Sequence, residues 1–206
     1  MKGTEAIAVV AMLMAAPGAL AQRHEIGLTL GAISGADRNT SSGQLGLGTG
    51  VALQANYGYR IFASRHAALF AEVHFLANPL RDITSMDGRA SRDVATLYVL
   101  PGLRIKFLPA RSFSPYVAVG GGYALYEQSL TQIDGSPNPA PRNTHRGALG
   151  FGGGADFPVW RFVGGRIEIR DFYTGNPSFN IPVSGGGQHN VVAGGGVVLR
   201  LGSSEK

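Results

Sequence analysis

Apolar and polar residues alternate along most of the chain with a period of two, which is the pattern of β-strands with one apolar face. In the first such run, Ile26, Leu28 and Leu30 alternate with Gly27 and Thr29. Seven more runs follow, and none of them carries the 3.6-residue apolar stripe of an amphipathic helix for long. The sequence therefore predicts an all-β fold with eight strands.

The connections between these runs alternate between short and long. Short turns are expected near residues 63–66, 108–114 and 160–162. Long loops are expected near residues 35–43, 79–92, 130–146 and 176–188. The long segments are rich in Gly, Ser, Asn, Asp and Pro, as loops usually are. An antiparallel up-and-down meander puts all short turns at one end, which is typical of transmembrane β-barrels with periplasmic turns and extracellular loops.

One face of the strands is almost purely aliphatic, whereas the other face is polar and charged. We expect the polar face to form a barrel-interior network of these residues: Glu25, Arg60, Glu72, His74, Arg104, Lys106, Asp156, Arg166, Glu168, Arg170 and Arg200. Six of them are basic and four are acidic, so the excess of basic groups would need water, polar partners or bound anions. Alternation alone does not decide which face points inward, since a water-soluble barrel would hide its apolar face.

The positions of the aromatic residues favour a charged interior. Aromatic side chains cluster beside the three short turns, as they do at the interface between a membrane and water. The predicted aromatic girdle consists of Tyr57, Tyr59, Phe62, Phe107, Phe113, Tyr116, Phe157, Trp160 and Phe162.

Two further features favour the same orientation. Glycine triplets lie within strands at residues 120–122, 152–154 and 194–196, where small residues leave room for long Arg and Glu side chains in a narrow barrel. The charges can also pair across neighbouring strands. The third short turn would place Asp156 opposite Arg166 on the same face.

The whole pattern resembles the small eight-stranded outer-membrane barrels of Gram-negative bacteria, the OmpA/OmpX-like group. Residues 196–201 match the spacing of that family's C-terminal insertion signal, with Leu201 in place of the usual aromatic residue. Pro101 is a second departure, and we expect a bulge or weak point there. The resemblance implies a non-enzymatic role in envelope structure, envelope integrity or surface interaction through the extracellular loops. Eight strands leave an interior that side chains can fill, so we expect a blocked lumen.

The N-terminus carries the pattern of an export signal. An uncharged apolar run over residues 6–16 follows Lys2, and residues 19–21 form a small-x-small cleavage site. We interpret residues 1–21 as a secretory signal peptide. Residues 22–206 then form a single barrel domain in the cell outer membrane.

The amino-acid composition limits the kinds of functional site that this chain can form. The absence of cysteine excludes disulfides, thiol nucleophiles and Cys-ligated metals. Glu72 and His74 share one face, but two ligands are too few for a metal site, so no metal, cofactor or catalytic residue is assigned. The net charge of +5 is spread over the whole chain, which argues against nucleic acid. The expected partners are outer-membrane lipid, lipopolysaccharide and a surface partner at the long loops, and we expect a monomer.

Two alternatives stay open at this point. A lipocalin-like soluble carrier would also have eight meandering strands, but with its apolar faces inside and a small apolar ligand in the cavity. A lipid A-modifying enzyme would need a serine nucleophile beside a histidine. His145 and His189 lie near the loop end, where Ser178 and Ser184 are the nearest candidates for such a nucleophile.

Heat-modifiable migration on a gel separates the membrane barrel from the soluble carrier. We expect the mature chain to change its apparent size on boiling, and to do so after refolding in detergent micelles but not in plain buffer. A folded, monodisperse β-protein in plain buffer would instead support the lipocalin-like carrier.

Overall fold

A computed structural model describes residues 23–40, 43–109, 111–177, 179–182 and 186–201. The predicted signal peptide, residues 1–21, lies outside this part of the chain. Within the described ranges, none of the secondary structure is a helix with the length and apolar character needed to cross a membrane.

Ten β-strands form where apolar residues alternate with polar or small ones, because side chains on a strand point alternately to its two faces. In chain order they are β1 (His24–Gly35), β2 (Arg38–Thr40), β3 (Gly43–Leu47), β4 (Gly50–Ala63), β5 (Ala67–Ser85), β6 (Asp93–Phe107), β7 (Ser114–Gln128), β8 (Asn143–Pro158), β9 (Val163–Thr174) and β10 (Gln188–Leu201).

Eight of these strands pair edge to edge in a closed antiparallel ring, in the order β1, β4, β5, β6, β7, β8, β9 and β10. The closing pair joins β10 to β1, with His24 opposite Leu201 and Gly35 opposite Asn190. The predicted up-and-down barrel is confirmed. A closed ring leaves no unpaired strand edge, which is the condition for a sheet to cross a membrane.

β2 and β3 form a short hairpin, in which β2 falls within the loop predicted at residues 35–43 and β3 continues beyond it from Gly43 to Leu47. β3 pairs with the outer end of β5, where Leu45 lies opposite Ser85. Leu45 and Leu47 are buried in one apolar cluster with Ile83. The two strands are three and five residues long, which is too short for alternation to identify them in the sequence.

The connections keep the predicted alternation of lengths. Short turns span residues 64–66, 108–113 and 159–162. The loop predicted over residues 79–92 is shorter, because β5 continues to Ser85. A register shift in the β5–β6 ladder between Asn78 and Arg81 interrupts the alternation and conceals this extension.

The two faces of the ring meet different surroundings. Leu30 on β1 is 61% exposed on the outer face, and Val119 and Ile169 are exposed there too. Arg104 on β6 is 1% exposed and points into the ring, and Glu72 is buried there as well. Aliphatic groups outside and charges inside are the reverse of what a soluble carrier requires, so the lipocalin-like alternative is wrong.

Pro101 lies in β6 and faces outward. The β6–β7 ladder has no bridge at Leu100 and Pro101, and it resumes at Gly102 in the same register. Proline lacks the N–H that a ladder needs, so the predicted weak point is present without the bulge.

Several inward-facing glycines lie so close to the neighbouring strand that a side chain would collide with its backbone. A Cβ atom on Gly196 would lie 1.9 Å from the Leu28 carbonyl oxygen, and one on Gly102 would lie 2.2 Å from the Val119 carbonyl oxygen. The glycines therefore permit the tight curvature that a narrow ring needs.

We expect Gly196→Ala to lower the free energy of unfolding by about 1–3 kcal/mol, because the new methyl group forces β1 and β10 apart. Gly147→Ala is the matched control, since its Cβ would meet nothing within 4 Å. Urea unfolding in lipid vesicles, followed by the heat-modifiable gel shift, measures both variants. Equal stability of the two variants would contradict the close-approach explanation.

Candidate functional site

In the described part of the chain, the turn-side half of the barrel interior contains four buried carboxylates, and three of them are held by cations from other strands. Glu25 on β1 accepts hydrogen bonds from Lys106 Nζ at 2.7 Å and from Arg104 Nη2 at 2.9 Å. Both cations belong to β6, so these contacts cross the lumen between strands that are not neighbours in the ring.

Glu72 on β5 occupies the centre of the network. Arg104 Nε donates to its Oε2 at 2.6 Å, and Arg170 Nη2 donates to its Oε1 at 2.7 Å. Asn56 Nδ2 donates to Oε2 as well, at 3.0 Å. The carboxylate therefore links three strands, β4, β6 and β9, to its own strand.

Asp156 on β8 has the tightest geometry. Arg166 Nε and Nη2 donate to its two oxygens at 2.7 and 3.0 Å, which is the bidentate arrangement that guanidinium and carboxylate groups prefer. Lys106 Nζ lies 2.7 Å from Oδ2. The β8–β9 register places Asp156 opposite Arg166, as the turn spacing implied.

Glu168 on β9 completes the set of carboxylates. It accepts hydrogen bonds from Arg170 Nε at 3.1 Å, from the Tyr116 hydroxyl at 2.8 Å and from Thr29 Oγ1 at 3.2 Å. His74 lies beside this group, with Nε2 3.1 Å from the Gln54 side-chain oxygen.

The charges within this turn-side network balance in number. The four carboxylates face four fully buried cations, which are Arg104, Lys106, Arg166 and Arg170. Arg60 and Arg200 account for the excess of two basic groups in the sequence-based set, and both are half-buried near the turn end. Burying charge in a medium of low dielectric constant is costly unless it is paired, so this balance is what allows the interior to be ionic.

Arg60 and Arg200 depart from the other members of the predicted network. Arg200 lies opposite Glu25 in the register, with its Nε 3.9 Å from the carboxylate. Arg60 is diagonal to Glu72 but forms no ion pair with it among the described residues, since Arg104 and Arg170 hold that carboxylate. A register shift also follows Arg60, after which the β4–β5 ladder resumes with Phe62 opposite Leu69.

The predicted aromatic girdle needs one correction. Tyr116 is 2% exposed and faces inward with Ser114 and Ala118, whereas Pro115 and Val117 face outward. Its ring lies between cations, with Arg166 Cζ 4.9 Å from the centroid. The other eight residues of the predicted girdle are exposed or half-buried: Tyr57, Tyr59, Phe62, Phe107, Phe113, Phe157, Trp160 and Phe162.

Neutral polar residues were missing from the sequence-based network. Asn56 joins Glu72 to Arg166, whose Nη1 donates to the Asn56 side-chain oxygen at 3.0 Å. Gln54 donates to Thr29 at 3.0 Å. Thr29, Gln54 and Asn56 alternate with the apolar residues of their strands and therefore lie on the polar face. Including every polar residue of that face, and not only the charged ones, would have predicted them.

Above the ionic network the interior becomes apolar and aromatic. Tyr98 and Phe172 pack with ring centroids 5.2 Å apart, and the Tyr98 and Tyr126 hydroxyls lie 3.0 Å from each other. Leu76 and Val192 are fully buried at this level. Side chains thus occupy the lumen at both levels.

The two histidines considered for enzyme chemistry, His145 and His189, lie on the outer face. His189 Nδ1 is 2.6 Å from Asp171 Oδ2, and His145 is hydrogen-bonded to Tyr123. Ser178 and Ser184, the candidate nucleophiles, lie outside the described residues. No group of three or more potential metal ligands occurs in the described part of the chain.

An eight-stranded ring with an aliphatic exterior and a paired ionic interior defines an integral outer-membrane β-barrel. The family model described as "Outer membrane protein beta-barrel domain" matches residues 6–196. The chain belongs to this family and is located in the outer membrane. A search of curated proteins gave no match.

One solved structure supports the fold, and two others show a weaker similarity to this chain. Neisserial surface protein A is 15% identical, with a TM-score of 0.53 over 86% of this chain and 97% of that one. OprG from Pseudomonas aeruginosa is 13% identical, with a TM-score of 0.49 over 90% and 99%. The outer membrane enzyme PagL is 14% identical, with a TM-score of 0.49 over 86% and 99%. Identities this low concern the fold alone.

We expect Glu72→Gln to lower the free energy of unfolding by about 3–5 kcal/mol, because it leaves Arg104 and Arg170 buried without their shared carboxylate. Glu127→Gln is the control, since Glu127 pairs with Arg142 on the exposed surface and should change stability by less than about 1 kcal/mol. Urea unfolding in vesicles measures both. Similar losses in the two variants would argue against a stabilising interior network.

Proposed function

We propose that this protein is a non-enzymatic structural barrel of the outer membrane that presents its extracellular connections as a contact surface and does not conduct solutes. The observation that carries the proposal is the filling of the lumen by paired ions. Arg104, Lys106 and Asp156 are each at most 2% exposed, although they lie in the interior where a channel would run. A water-filled pore would leave such groups hydrated.

The extracellular connections support a role in surface contact because they are tied to one another. Ser91 N donates to the Phe179 carbonyl at 3.3 Å, and Arg92 N donates to the Thr131 carbonyl at 3.1 Å. Ile133 N donates to the Ala90 carbonyl at 3.0 Å. These bonds join residues 86–92, residues 129–142 and the described part of the connection between β9 and β10 into one cap. A cap whose parts are bonded to one another binds partners at a lower entropic cost than free loops.

The surface of this cap carries both apolar and cationic groups. Met86 is 86% exposed and Leu130 is 67% exposed. Arg89 and Arg142 are also exposed, each paired with a carboxylate. This mixture suits lipopolysaccharide phosphates and a protein partner, which are the two partner classes we propose.

Planar-bilayer recording tests the filled lumen. We expect the refolded mature chain to give no stepwise conductance, because the paired ions leave no continuous water path. An open porin in the same bilayer is the positive control, and an unfolded sample is the negative one. Reproducible conductance steps from the wild-type chain would overturn the non-conducting assignment.

Enzyme activity is tested separately with purified lipopolysaccharide as the substrate. We expect no release of fatty acid in detergent micelles, since the proposed role needs no catalysis. Release that is lost in His189→Ala would replace the structural assignment with lipid hydrolysis, in which Asp171 would orient the histidine. Asn143→Ala, on β8 at the same end, is the control for nonspecific effects.

A further inference from the structure

Two arginines are buried at the extracellular end of the lumen, apart from the ionic network. Arg81 lies in β5 beyond the register shift and is 1% exposed. Arg38 lies in β2 of the extra hairpin and is 8% exposed. Neither contributes to the interior charge balance described above.

Both guanidinium groups are bonded to neutral partners on one side. Arg81 Nη1 donates to the Asn190 side-chain oxygen at 2.9 Å. Arg38 Nη1 donates to the Pro177 carbonyl at 3.0 Å and to the Asn176 side-chain oxygen. Nε and Nη2 of each arginine are buried and have no hydrogen-bond partner among the residues that the structure describes.

The unpartnered edge is the one that binds oxyanions. Nε–H and Nη2–H point the same way from a guanidinium and form a fork that matches two oxygens of a carboxylate or phosphate. Arg166 uses this same edge to hold Asp156 with its bidentate pair of bonds. In the described part of the chain, Arg38 and Arg81 present the edge without a carboxylate against it.

The missing carboxylate distinguishes these arginines from the others in the interior. Arg104, Arg166 and Arg170 all form ion pairs. Burial without an opposing charge lowers the pKa of the Arg38 guanidinium to about 10. Unpaired buried cations are expensive, so a native structure that keeps two of them at one end of the lumen calls for an anion from outside the chain.

The two arginines approach the same aromatic group. Tyr126 connects to each of them through one intervening side chain. Asn190 joins Arg81 to that hydroxyl, with its Nδ2 3.4 Å from the oxygen. On the other side, Arg38 Cζ lies 5.5 Å from the Phe179 ring centroid, and that ring is 5.9 Å from Tyr126.

We propose that this end of the lumen is an oxyanion-binding site in which Arg38 and Arg81 hold a phosphate or carboxylate group beside Tyr126. The proposal goes beyond the structural role above, because it assigns a ligand class to the interior. The site lies at the extracellular end of the lumen, and the same chemistry is available on that side of the membrane from free inorganic phosphate or from the phosphates of lipopolysaccharide.

The first experiment measures binding to the refolded mature chain in lipid-free detergent micelles at constant ionic strength. Radiolabelled inorganic phosphate is the probe in equilibrium dialysis, and chloride maintains the ionic strength. We expect saturable binding of one phosphate per chain, at least tenfold weaker in Arg81→Gln and in Arg38→Gln. Arg89→Gln is the matched control, since Arg89 is exposed at the same end and already paired with Asp87.

The second experiment identifies the source of the oxyanion by thermal unfolding in vesicles. The two samples compared are lipopolysaccharide with its phosphates and lipopolysaccharide from which they have been removed. Inorganic phosphate at 100 times its dissociation constant is the reference. At that concentration a bound phosphate lowers the unfolding equilibrium constant about 100-fold. Stabilisation by phosphorylated lipopolysaccharide that Arg81→Gln abolishes would assign the site to the lipid. Phosphate binding in micelles alone would assign it to a free oxyanion.

A third variant keeps the test independent of folding defects. In buffer without oxyanions, Arg81→Met should unfold at a higher temperature than the wild type, because it removes an unpaired buried charge. In saturating phosphate the wild type should have the higher melting temperature, because only the wild type retains both arginines of the site. The proposal is overturned if neither phosphate source binds or stabilises the chain, if Arg89→Gln loses as much binding as Arg81→Gln, or if phosphate leaves the order of the two melting temperatures unchanged.

Discussion

The pairing of β10 with β1 is the contact on which the rest of the molecule depends. It satisfies the last backbone hydrogen-bonding edge, so the sheet can lie in hydrocarbon, where unpaired amide groups have no water to bind. Closure of the ring also separates the interior of the barrel from its lipid-facing exterior. Glu25 on β1 meets Lys106 and Arg104 only because the ring brings β6 across the lumen from it. The aliphatic exterior and the ionic interior are thus two results of one backbone constraint.

The interior is organised in levels along the barrel axis. Four carboxylates and four cations neutralise one another near the short turns, and an aromatic level of Tyr98, Tyr126 and Phe172 lies above them. Further out, the extra hairpin and the tied connections cover the lumen, and Arg38 and Arg81 lie beneath this cover. The surplus positive charge of the interior is therefore concentrated at the extracellular end and at the half-buried turn end, while the middle is neutral.

Much of this arrangement could be predicted from the sequence, because strand alternation and turn spacing are local signals. The Asp156–Arg166 pair followed from the length of one short turn. Tyr116 was misassigned because its nearness to a turn resembled a girdle position, although its phase along β7 points inward. Arg81 could not be assigned, since the register shift after Asn78 breaks the alternation. The short hairpin strands depend on burial of Leu45 against β5, which is a contact between distant segments that no local pattern records.

The separation along the chain of the paired charges has a consequence for assembly. Arg104 is 79 residues from Glu25, and Arg170 is 98 residues from Glu72. A single strand that entered the bilayer alone would carry a charge whose partner had not yet arrived, at a cost of several kcal/mol for each ion. Insertion one strand at a time is therefore strongly disfavoured. The chain gains most by crossing the membrane as a nearly complete ring, in a transition whose rate is limited by long-range strand pairing.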